Sequence, residues 1–183
     1  MEVNDLLRSL SDHEHQLYSY VSSLQGTMEH KEQHLRENGI FAAYRQLHAR
    51  YLTAFHDSTD NSSKLELLKR LLFINWYYLA EPSCFTGIND LDETVILATY
   101  SIIDEYLRYD KLDAELRWML AYYATWDYSI LAFIDYKLAV LTAYIKEHDT
   151  ISSAIPYQQL PKHSMDYRGQ MGRYWQSVGI EQL

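Results

Sequence analysis

Apolar positions recur along this chain at helical spacing. Leu6, Leu7, Leu10, Leu17, Val21 and Leu24 form one face of a first helix that starts near Asn4 and ends at Gly26. The stretch from Thr27 to Arg36 is polar and rich in His and Glu, which reads as a solvated helix or an exposed connection; Glu37-Asn38-Gly39 then signals a turn. Tyr44, Leu47, Tyr51 and Phe55 share a face of the next helix, and the loop from Asp57 to Ser63 ends in a Ser cap. Leu65 to Ala80 is a helix closed by Pro82 and Gly87. Asp90 or Asp92 caps a helix running to about Tyr109, with Val95, Thr99, Ile102 and Tyr106 as its core face. Leu116 to Ile145 reads as one long helix or two, broken near Asp127. The alternation that strands require is missing throughout. The pattern predicts an all-α chain: a single-domain helical bundle of about six or seven helices over residues 1–150. An irregular C-terminal tail, 151–183, follows, with a helical turn around Met171 to Ser177, docked on the bundle or on a partner subunit.

Aromatic content sharpens this picture. Between Phe73 and Tyr144 lie ten Tyr, three Trp and three Phe, enough large apolar surface for a substantial core and a surplus of phenol rings for contact surfaces. Six Gly and three Pro leave few forced turns, as helices prefer. The single cysteine, Cys84, excludes an internal disulfide. Glu2 and Asp5 stand where a secretory signal would carry positive charge, and Asp127, Asp135 and Lys137 interrupt the most apolar run, so the expectation is a cytoplasmic protein that does not enter the membrane.

The net charge of −9 argues against direct contact with a nucleic-acid backbone and favours a basic partner protein. Residues 86–115 alone carry −6 of it. Within that block Glu93, Leu97, Tyr100 and Asp104 fall on the face opposite Ile102, so a leucine and a tyrosine flanked by carboxylates are expected to face outward as an interaction patch. The competing structural reading is a solvated face whose Tyr100 and Leu97 touch a neighbouring helix.

Other constellations carry less. His30 and His34, spaced i, i+4, share a helical face as a metal pair requires, and His48 joins their stripe only if the helix runs unbroken past Gly39. No His-Glu-x-x-His, Glu-x-x-His or Cys-His zinc spacing accompanies them, and a charged, solvated face explains His13, His15, His30 and His34 as well. Cys84 has Glu81 as its nearest charge and reads as a small buried hydrophobe rather than a nucleophile. Asp127 and Asp135 read as a polar network fixing helix register in preference to proton-handling or metal-binding carboxylates. The sequence therefore predicts a non-enzymatic interaction module that masks or regulates a basic protein, as immunity proteins and antitoxins do, with no cofactor. A helical bundle holding a divalent transition metal on the N-terminal histidines is the alternative, and an oligomer with tyrosine-lined subunit contacts a third reading.

Overall fold

The computed structural model describes residues 3–134, 137–149 and 163–178, and these are helical without a strand. The helices are α1 (Val3–Ser23), α2 (Met28–Glu37), α3 (Ile40–Asp57), α4 (Asn61–Ala80), α5 (Ser83–Thr86), α6 (Glu93–Arg108), α7 (Ala114–Ala124), α8 (Tyr128–Ile134), α9 (Ala139–Glu147) and α10 (Gly169–Ser177). The described residues thus form ten helices, where the sequence pattern led to six or seven. None is long and apolar enough to cross a membrane.

Short polar side chains set several boundaries. Thr27, Asp60, Asp92 and Asp113 each accept a backbone N–H in the first turn of the helix that follows, satisfying a donor that the helix itself leaves unpaired. The cap of α4 is therefore Asp60, whose carboxylate takes the Ser63 N–H at 2.7 Å, and not a serine. Gly39, at φ +69°, separates α2 from α3 as the turn signal required.

The run from Leu116 to Ile145 divides twice. Around Thr125 and Trp126 the backbone tightens into i to i−3 hydrogen bonds, while the hydroxyls of Thr125 and Ser129 donate to the carbonyls of Tyr122 and Trp126. Such hydroxyls compete with the helical ladder. A second division lies at Lys137 and Leu138. Asp135 lies outside the described residues.

α4 sits at the centre. It packs against α1, α3, α5, α6, α7, α8 and α10, and every side chain from Leu67 to Trp76 is buried. A helix enclosed on all sides is apolar all round, and this one nearly is. The exceptions are Lys69, Arg70 and Asn75, which lie within the core.

Candidate interaction surface

The patch expected on α6 divides in two. Glu93 is exposed and Leu97 is 41% exposed, whereas Tyr100 and Asp104 are buried, which corrects the expectation that both face solvent. The cause is packing: α6 meets α3, α4, α8 and α9. The Tyr100 hydroxyl lies 3.5 Å from the Ser129 carbonyl, and burial pushes its phenol well above the usual range. Asp104 accepts the Leu141 N–H at 2.9 Å and pairs with Arg108 at 2.8 Å. It thereby caps the first turn of α9, a helix with no cap of its own at Leu138. Tyr100→Ala is consequently a cavity mutation, expected to cost about 3–5 kcal/mol, whereas Leu97→Ala is expected to change stability by less than about 0.5 kcal/mol. Urea unfolding of the two variants checks the contrast; equal losses would contradict it.

What replaces Tyr100 on the surface comes from other helices. Tyr78 on α4 stacks on Phe133 of α8 with ring centroids 6.2 Å apart, and both rings are half-exposed. Burial raises the Tyr78 phenol, and the nearby carboxylates of Asp90 and Glu93 raise it further. Leu97 stands one helical turn from exposed Glu93, and Tyr78 lies near Glu93 and exposed Asp90.

The histidines stay apart in role. His30 and His34 stack on one face of α2 with centroids 6.3 Å apart, and His34 also stacks on Tyr20. His48 is not on that stripe: it is fully buried on α3, and neither ring nitrogen has a hydrogen-bond partner of good geometry. Burial pushes its imidazole down to about 4, opposed by the neighbouring Asn75 side chain and the charge of Asp92, so it is neutral at pH 7. Among the described residues no three His, Cys, Asp or Glu side chains converge as a metal site needs. Cys84 is buried, and desolvation raises its thiol. Asp127 is half-buried in the turn before α8.

The sequence did not mark the most charged part of the interior. Residues 163–178, here termed the strap, cross α1 and α4. Arg168, 8% exposed, pairs with both Glu66 and Glu115, at 2.5 Å in the Glu115 case. Lys69 pairs with Asp113 at 2.7 Å and Glu115 at 2.5 Å, and Arg70 pairs with Glu66 at 2.9 Å. Burial opposes the Glu115 charge, but Arg168 and Lys69 outweigh it and hold the carboxyl below its usual range. Beside this network Glu14, 1% exposed, accepts the Tyr51 hydroxyl at 2.6 Å and the Gln170 backbone N–H at 2.9 Å. Further along the strap Trp175 is fully buried, edge-on to Trp118 and Tyr122, and its indole N–H donates to the Tyr123 hydroxyl at 3.2 Å. The readable signal was Lys69-Arg70 inside an otherwise apolar helix, because two buried cations demand anions from elsewhere in the chain.

Compared with family models, with curated proteins and with solved structures, the chain finds no match.

Proposed function

We propose that this chain is a non-enzymatic interaction module, a helical bundle that masks or regulates a basic partner protein through the outer surface of α6. The observation that carries the reading is Leu97, 41% exposed beside Glu93. The Tyr78–Phe133 stack, close to Asp90 and Glu93, extends the same apolar and acidic character onto α4 and α8. An aromatic and aliphatic centre with a carboxylate rim suits a partner that brings its own apolar anchor inside a ring of Lys and Arg. The acidic block from 86 to 115 supplies a field that steers such a partner.

The surface is separable from the core, which makes the proposal testable. Leu97→Arg with Glu93→Lys is expected to abolish partner binding and to leave the urea midpoint within about 0.5 kcal/mol of the parent. Undiminished binding by that double variant would refute the assignment. Tyr100 and Asp104 are unsuitable probes, since their substitution disturbs the core and the α9 cap.

A further inference from the structure

We propose that the strap is a proton-dependent latch, closing over Glu14 when that carboxyl carries a proton and opening as it ionises. Three structural facts carry this.

The first is the seal. Glu14 is covered directly by the strap: Gly169, at φ +61°, lies against the carboxylate so closely that a Cβ there would collide with both oxygens, and the next residue supplies the N–H bond. Water reaches Glu14 when the strap lifts.

The second is the charge balance. Lys69, Arg70 and Arg168 are met by Glu66, Asp113 and Glu115, three cations against three anions, in contacts that leave none of the six alone. Glu14 forms no ion pair among the described residues, and an ionised Glu14 is a surplus negative charge beside a network already neutral. The groups facing it are Tyr51 and Tyr44 from α3, and Arg70 and Glu66 from α4. α5 holds no charged residue, and α10 offers Glu14 the backbone N–H of Gln170. Burial outweighs Tyr51, Arg70 and Gln170 and raises the carboxyl above its ordinary value of 4.5, with Glu66 adding to the rise.

The third is the construction of the strap as a unit. It is held by Arg168 and Glu14 at one end and by Trp175 at the other, where opening uncovers Trp118, Tyr122 and Tyr123. A lifted strap presents an aromatic surface that the closed form conceals.

The sign follows from linkage. The closed state binds the Glu14 proton more tightly than the open state, so closure is fully favoured below about pH 4.5, where both states hold the proton, and weakens as pH rises through the raised value. His48 acts oppositely: its folded value of about 4 lies below the ordinary 6.5, so it weakens the fold as pH falls through that interval. As pH rises, Glu14 and His48 therefore act in opposite directions.

The test is hydrogen–deuterium exchange of the full chain from pH 4.5 to 8, corrected for intrinsic exchange rates, comparing peptides from 163–178 with peptides from α4. In the parent protein the strap's opening constant is expected to climb by up to about tenfold per pH unit and then level off, with α4 amides still protected. Glu14→Gln mimics the protonated acid and is expected to remove that slope. His15, which meets Arg173, and His163, paired with Asp166, are retained in both proteins, and a slope common to both would overturn the proposal. Simultaneous opening of strap and α4 would also overturn it. Gly169→Ala gives an independent check should the Gln variant fail to fold: it is expected to hold the strap open at every pH while α4 stays protected, and a strap as closed as the parent's would overturn the seal.

Discussion

Arg168→Ala is expected to destabilise the folded chain by about 3 kcal/mol, the low end for breaking a buried ion pair. The argument rests on what the substitution leaves behind. Glu66 keeps Arg70 and Glu115 keeps Lys69, but each loses a charge-assisted partner while its side chain stays only 21% and 23% exposed. That residual exposure places the cost at the low end. Arg168→Lys is expected to fall between, because one ammonium cannot reproduce the guanidinium's simultaneous bonds to both carboxylates. Urea unfolding followed by circular dichroism reads both. A loss below about 1 kcal/mol for the alanine variant would show that the pairs contribute little and that Trp175 and the Gln170 bond to Glu14 hold the strap.

A chain ending at Asp149 is expected to lose more. It forfeits Arg168, the Gln170 bond to Glu14 and the whole of Trp175, whose burial alone is worth about 3–5 kcal/mol by analogy with large-to-small core substitutions. Loss of the strap also exposes Trp118, Tyr122 and Tyr123 as one contiguous aromatic patch, a recognised cause of association. The expected result is strong binding of a hydrophobic dye and concentration-dependent scattering. A monodisperse truncated chain with the parent's unfolding midpoint would show that the strap is dispensable.

The helical class was legible because apolar spacing at period 3.6 is a local signal, and the caps at Asp92 and the turn at Gly39 are local too. The division of 116–145 was half legible: Asp127 marked the place, but the hydroxyls of Thr125 and Ser129 that support the turn act through backbone geometry that no spacing rule displays. The patch on α6 went astray for a different reason. Helical period tells which residues share a face and not which face meets a neighbour, and α6 meets four other helices. A core face centred on Ile102 puts Tyr100 and Asp104 outward, yet Ile102 is only half-buried and Ile103 is buried completely. The charge network was illegible as a network, since Glu66 and Arg168 are 102 residues apart and the adjoining Glu14 bonds Gln170 across 156. Only its cations inside α4 stood out from their surroundings.

The interaction reading is tested most directly by affinity capture from the native host with the parent chain and the Leu97→Arg, Glu93→Lys variant side by side, at low and at high salt. The account predicts one dominant basic protein, bound in stoichiometric amount by the parent at low salt, lost at high salt and not retained by the variant. A partner retained equally by both proteins, or no partner at either salt, would contradict it.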